Sequence, residues 1–265
     1  MLTAEQISEL ARHFKIDEAS IVREYVQLLF LRSFYTLKES RNVFFKGGTA
    51  IHFHYGSFRF SEDLDFSTLQ SSDQLRQMVE AATHDLKTEM ASLEQGKFTI
   101  KHDSFNGQLK FAHKGSRPLT IRLEFSQREK ALTRAVSLIE THFPLVSYPL
   151  VVHLDAEELL AEKTRAILTR SKGRDYFDFW YLLSKGIPLR EDYNLEKMKW
   201  YGKGFRQEDL TEIIAHAKEK DLYNDLARFL PKHYRQTITD LKKNILQKLG
   251  SSSSSQNAKK QDLTP

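Results

Sequence analysis

Residues 44–66 read FFKGGTAIHFHYGSFRFSEDLDF, and the fold turns on this stretch. The apolar run Asn42-Val-Phe-Phe45 ends at Gly47-Gly48, the pattern of a buried strand closed by a tight turn. Thr49 to Tyr55 contains no breaker and reads as a short helix, with Gly56 as its stop. Arg59 to Phe66 then alternates as a strand does. Glycines at the strand–helix turn let a backbone approach a ligand closely, and the first amides of a helix have no partner within it. Those amides and the helix dipole suit phosphate, and the Thr49 hydroxyl adds a donor. On the following strand, alternation sends Asp63 and Asp65 to one face and Leu64 and Phe66 into the core. Two neighbouring carboxylates on a packed strand repel each other and call for a cation, and all-oxygen donors suit Mg²⁺ better than Zn²⁺. A Gly-Gly pair alone is commonly only a turn, and a lone Asp-x-Asp is commonly a solvated face. It is their conjunction at close range that points to chemistry.

Working outward, residues 4–14, 18–38 and Ser72 to Leu93 read as helices. Phe98 to Ile100, Gln108 to Ala112, Leu119 to Phe125 and Val151-Val152 read as strands, with turns at Asn106-Gly107 and Gly115 to Pro118. From Asp155 the pattern becomes helical, at about 155–170, 174–185, 206–219, 221–229 and 233–248, and Asp155 with Glu158 resembles a capping box. The expected class is α+β. Residues 1–150 form a sheet-containing core with N-terminal helices, 151–250 a helical domain completing the active-site cleft, and 251–265 a serine-rich disordered tail. Trp180 and Tyr181 fall in an apolar run and read as core, and His52 and His54, two apart on a helix, face different directions.

The composition narrows the classes. The chain has 265 residues, 40% hydrophobic and 11% aromatic, too apolar for a disordered chain. It has no cysteine, which excludes a disulfide scaffold, a thiolate metal site and a cysteine nucleophile. The net charge of +5 fits anionic partners such as nucleotides or nucleic acid. The start, MLTAEQISEL, lacks the basic-then-apolar order of a signal peptide, and Val26 to Leu31 is too short to span a bilayer. The expectation is a cytoplasmic protein without a membrane partner.

The string KGGTA…YG…RFSEDLDF resembles the first motif of the DNA polymerase β-like minimal nucleotidyltransferases. Within them it is similar to the AbiEii/AbiGii toxin family, the nucleotidyltransferase halves of type IV toxin–antitoxin pairs. The resemblance spans roughly residues 24 to 185. It implies a polymerase β-like sheet with flanking helices plus a C-terminal helical bundle. It implies that Gly47, Gly48 and Thr49 hold a nucleoside triphosphate, that Asp63 and Asp65 hold two Mg²⁺ ions, and that a third carboxylate on a later strand completes the cluster. The candidate is Glu124 in Thr120-Ile-Arg-Leu-Glu-Phe125, where alternation puts Thr120, Arg122 and Glu124 on one face; the alternative is that Arg122 and Glu124 simply face water. A second block, Ala161-Glu-Lys163 followed by Arg170-Ser-Lys-Gly-Arg-Asp175-Tyr-Phe-Asp178, matches the family's lysine-bearing helix and Arg-Asp-x-x-Asp helix start. There Lys163 would counter triphosphate charge. Arg174 would bind phosphate or pair with Asp178, and Asp175 would act as base or hold Lys163. Lys46 and Arg59 flank the pocket and are candidates for phosphate contact. The implied activity moves a nucleoside monophosphate from the triphosphate to an acceptor hydroxyl, with an RNA acceptor such as a tRNA 3′ end and a separately encoded antitoxin as partners. Transfer to a small-molecule or protein hydroxyl, and a non-catalytic nucleotide- or RNA-binding module, are the competing readings.

Overall fold

The computed structural model describes residues 2–112 and 118–261, with the side chains of 251–261 outside that description. The turn expected at Gly115 to Pro118 and the last residues of the tail therefore lie largely outside the described residues. The chain divides into two compact units, Met1–Leu159 and Leu160–Pro265.

The first unit opens with two helices, α1 (Ala4–Phe14) and α2 (Glu18–Thr36), followed by β1 (Val43–Lys46), α3 (Gly47–Tyr55), β2 (Leu64–Thr68) and α4 (Ser72–Glu89). Then come β3 (Glu94–Gln95), β4 (Thr99–Lys101), β5 (Ser104–Phe111), β6 (Leu119–Ser126), β7 (Ala135–Leu138) and β8 (Leu150–His153). The strands form one mixed sheet in the order β3-β5-β6-β2-β1-β8-β7, with β4 also paired to β5. β1 and β2 run antiparallel, β2 and β6 parallel, and β5 and β6 antiparallel.

One row of phenylalanines pins the register. Phe45 faces Phe66, Phe66 faces Phe125, and Phe125 faces Phe105, so one ring from each of four adjacent strands lies in a single line. All four are fully buried, and the Phe66 and Phe125 rings stack at 4.7 Å. Phe34 of α2 closes the row from above, 5.7 Å from Phe66 and 5.8 Å from Phe125. A slip of one residue would turn every one of these rings to the opposite face, so the row enforces the alignment of the polar residues between them. Burial of each ring contributes about 1.5–3 kcal/mol.

Several expectations shift. The strand expected from Arg59 begins only at Leu64, so Asp63 lies one residue before β2 rather than on it. The turn expected at Asn106-Gly107 is the interior of β5. The reversal comes earlier, between Lys101 and Ser104, where His102 takes a φ of 48°. Gly107 serves packing: a Cβ there would come within 3.2 Å of the Phe98 ring. β3 and β7 had no sequence expectation.

The regular elements of the second unit's described residues are all helices. Its elements are α5 (Ala156–Arg170, whose start belongs to the first unit), α6 (Gly173–Ser184), α7 (Glu191–Lys199), α8 (Gln207–His216), α9 (Glu219–Leu226) and α10 (Thr237–Gln261). Asp155 caps α5 by accepting from the Glu158 amide at 2.8 Å, but the expected capping box does not close, because the Glu158 carboxylate accepts from the Leu132 and Thr133 amides and the Asp155 amide donates to Thr133 Oγ1. α7 was not anticipated, because Pro188 and the charges around it dilute its apolar period. α10 continues into the serine run that was expected to be unstructured; extending a formed helix carries no nucleation cost. No helix among the described residues is long and apolar enough to cross a membrane.

Candidate active site

The first unit's polar face is assembled by the register just described. Between the buried Leu64 and Phe66, Asp65 emerges on the opposite face of β2; between Leu123 and Phe125, Glu124 does the same on β6. The parallel pairing places Asp65 directly opposite Glu124, and the antiparallel pairing with β1 places Lys46 opposite Asp65. A row of Lys46, Asp65 and Glu124 therefore crosses three strands on one face. Glu124 is exposed, Asp65 half-buried and Lys46 buried.

Asp63 joins this face by a different route. Its carboxylate accepts two bonds from the Arg122 guanidinium, from Nε at 2.9 Å and from Nη2 at 2.7 Å. Arg122 stands two residues before Glu124, on the same face of β6. The fork raises the Arg122 pKa above its ordinary value, through the hydrogen bonds to Asp63 first and its charge second. Sequence reasoning placed Arg122 on the correct face but gave it no partner; the signal was its two-residue spacing from Glu124.

α3 starts beside these acids. Gly47 has a φ of +79°, and a Cβ built on it would lie 2.2 Å from Asp65 Oδ2. Only glycine allows the helix start and the carboxylate to come this close. Lys46 occupies the N-cap position without a side-chain cap, so the first amides of α3 are left to other acceptors. Thr49 is fully buried and its hydroxyl donates to the Asp63 carbonyl. The donor expected to face a ligand is thus committed to the chain, where it ties the Asp63 segment to α3. Arg59 is also buried, at 2% exposure, with Nη1 donating to the Phe60 carbonyl at 3.0 Å.

The two histidines of α3 diverge as their spacing predicts. His52 Nε2 lies 3.2 Å from Glu24 Oε2; burial alone would lower its pKa, but the charge and hydrogen bond of Glu24 outweigh it and raise the value. His54 stacks on His153 with ring centroids 3.8 Å apart. The Ser137 hydroxyl bridges them, at 2.9 Å from His54 Nδ1 and 2.9 Å from His153 Nε2. Burial, then the neighbouring imidazole, holds His54 down to about 3, and burial lowers His153 as well.

In the second unit Lys163 lies 3.3 Å from Asp175 and 2.7 Å from Asp178, all three side chains buried. Arg170 closes on Asp175 with bonds of 2.8 and 2.9 Å. Burial would raise the Asp175 pKa, but the Lys163 charge and the Arg170 bonds more than reverse this and hold the carboxyl far below its usual range. Arg174 does not pair with Asp178. Its guanidinium lies 3.7 Å from Asp225 and over the Phe229 ring, because its place on the first turn of α6 aims it at α9.

Asp63, Asp65 and Glu124 share one sheet face, although no group of three His, Asp or Glu residues among the described residues is arranged to hold a metal ion. All the donors are carboxylate oxygens, the chemistry a hard divalent cation takes.

Comparisons with known proteins agree with this frame. The chain is similar over 94% of its length to MenT4, a nucleotidyltransferase toxin from Mycobacterium tuberculosis, at 18% identity and a TM-score of 0.61, covering 90% of that chain. It is similar to a Helicobacter pylori protein assigned as a nucleotidyltransferase (22% identity, TM-score 0.57, 94% of this chain and 100% of that one). It is also similar to JHP933 from Helicobacter pylori (22% identity, TM-score 0.55, 92% and 99%). At these identities the likeness establishes the nucleotidyltransferase fold. A search of curated proteins finds no match. The model of the AbiEii nucleotidyl transferase toxin, type IV toxin–antitoxin system, matches residues 29–248, and the chain belongs to that family.

Proposed function

We propose that the chain transfers a nucleoside monophosphate from a nucleoside triphosphate to a hydroxyl of an RNA acceptor in the cytoplasm, with a tRNA 3′ end as first candidate, and that Asp63, Asp65 and Glu124 hold Mg²⁺ for this reaction. The observation that carries the reading is the register: Asp65 lies opposite Glu124 and opposite Lys46, directly beside the start of α3. A bound divalent cation would stabilise charge on the phosphoryl oxygens and lower the pKa of the attacking hydroxyl. The protein's own part is positioning. The amides at Gly48 and the following residues donate to phosphate oxygens at the helix N-terminus. Lys46 brings positive charge to the same face. Arg122 fixes the direction of the Asp63 side chain through its two hydrogen bonds. Thr49 tethers the segment that carries Asp63. Arg59 donates to the Phe60 carbonyl within the stretch that leads to Asp63. In the second unit, taken by itself, Lys163 and Arg174 are the cations read as phosphate partners, with Asp175 and Asp178 holding Lys163 in place. Positioning and charge neutralisation dominate phosphoryl chemistry of this kind.

The test incubates the protein with each α-labelled nucleoside triphosphate, Mg²⁺ and total RNA, and repeats it with Asp65→Ala. Label in RNA is expected, reduced at least ~100-fold in the variant while the melting temperature is maintained. Label on a protein or small molecule would move the acceptor class. Full activity in the variant would remove Asp65 from the site, and nucleotide binding without any transfer would leave a binding module.

A further inference from the structure

Among the described residues β7 is the last strand of the sheet, paired to β8 on one side only. Its residues alternate cleanly between inward and outward. Ala135, Ser137 and Ile139 turn inward, while Arg134, Val136, Leu138 and Glu140 are exposed. Val136 is 46% exposed and Leu138 53%, and Leu150, which faces Leu138 from β8, is 55% exposed. An exposed apolar edge is a surface that natural sheets ordinarily blunt with charge, proline or a bulge. None of these interrupts residues 135–138; the charges stand just outside, Arg134 before the strand and Glu140 after it.

The backbone supplies a second constraint. The Ile139 amide donates to the Pro149 carbonyl of the neighbouring chain segment at 2.9 Å. In an antiparallel ladder each residue directs both its N–H and its C=O to the same side, alternating along the strand. The odd-numbered residues of β7 are therefore spent on β8, and Arg134, Val136, Leu138 and Glu140 present theirs at the open edge.

We propose that this edge pairs with the same edge of a second copy of the chain, antiparallel about a two-fold axis at Ser137. In that register Val136 faces Leu138 of the second copy and Arg134 faces Glu140, each pair occurring twice by symmetry. The residues brought opposite are the ones whose backbone groups are open, so the ladder continues without a gap. Centring the axis on Val136 instead sets Arg134 against Leu138 and Leu132 against Glu140, losing both charge pairs. The sequence Arg134-Ala-Val-Ser-Leu-Ile-Glu140 is complementary to its own antiparallel image only about Ser137. Neither Arg134 nor Glu140 has an ion-pair partner among the described residues. An isologous contact of this kind closes on itself as a dimer rather than growing into a fibre. A ribbon this short buries less than the roughly 1,200 Å² of a standard stable interface, so the dimer is weak, with Kd on the order of 10–100 µM.

The experiment follows the full chain by sedimentation velocity from about 1 to about 300 µM. A monomer–dimer equilibrium is expected. Arg134→Glu and Glu140→Arg each weaken it by about tenfold, because each places two like-charge pairs across the axis. The double variant carrying both reversals restores it. Val136→Lys abolishes it, with circular dichroism confirming the fold. The proposal is overturned if the wild-type chain is monomeric throughout, if the double reversal fails to restore association, or if the edge is taken up only by a strand from a different protein.

Discussion

At Gly47 a single missing Cβ decides how close the start of α3 comes to Asp65. A side chain there meets both a left-handed φ of +79° and a contact of 2.2 Å with the carboxylate oxygen. Gly47→Ala is expected to lower stability by about 1–3 kcal/mol through backbone strain and to reduce nucleotidyl transfer more than tenfold by displacing Asp65. Thermal melting and a transfer assay on the same preparation check it, and unchanged transfer would show that the approach of helix to acid is incidental. Gly48 has no positive φ and carries no such argument. Most of this residue-scale pattern was legible: alternation around Leu64, Phe66, Leu123 and Phe125 placed Asp65 and Glu124 on the polar face. What was not legible was the fate of Thr49 and Arg122. A hydroxyl or guanidinium finds its partner by distance in space, and Asp63 and Arg122 are 59 positions apart.

Among the elements, α5 and α6 are joined by a buried cluster in which Lys163 meets Asp175 and Asp178. The sequence assigned Lys163 to nucleotide phosphate. In the fold it also neutralises two carboxylates exposed by 1% or less, so its removal has a structural cost before any catalytic one. Lys163→Ala is expected to destabilise the protein by about 3 kcal/mol, since it removes the cation 2.7 Å from the buried Asp178 carboxylate while Arg170 still serves Asp175. Urea unfolding measures this; a variant as stable as the wild type, with only nucleotide use impaired, would assign Lys163 to the ligand alone. The element-scale misses share a cause. Asn106-Gly107 is a strong turn signal locally, but pairing with β6 on one side and packing under Phe98 override it. β7 is too short and too lightly patterned to announce itself until β8 is beside it.

Over the whole molecule, three histidines set opposing pH limits. His54 and His153 are held neutral in the fold, with pKa values below the ordinary 6.5, so the unfolded chain binds more protons than the native one as pH falls below about 6.5. Their contribution is full above that pH and is lost on acidification until each group reaches its lowered folded value. His52 has the opposite sign. Its raised pKa contributes stability that is full below about 6.5 and is lost as pH rises through the folded value. Denaturant unfolding from about pH 4.5 to 8.5 is therefore expected to show greatest stability near pH 6.5 and a steeper acid side, since two groups act there and one on the alkaline side. His153→Asn should make the acid limb shallower, and a flat acid limb in the wild type would remove the histidine stack from the account. By itself, the amino-acid order determined the α+β class, the strand–glycine–helix–acid segment at 44–66, the family, and the faces on which the candidate acids lie, because alternation and capping are properties of neighbours along the chain. Only the tertiary structure decided that Asp65 meets Glu124, that Arg122 grips Asp63, that Thr49 is spent on the backbone, and that Lys163 is buried between two acids. Those facts depend on which strands and helices become adjacent, and adjacency is settled by the packing of the phenylalanine row and the helices rather than by any local preference.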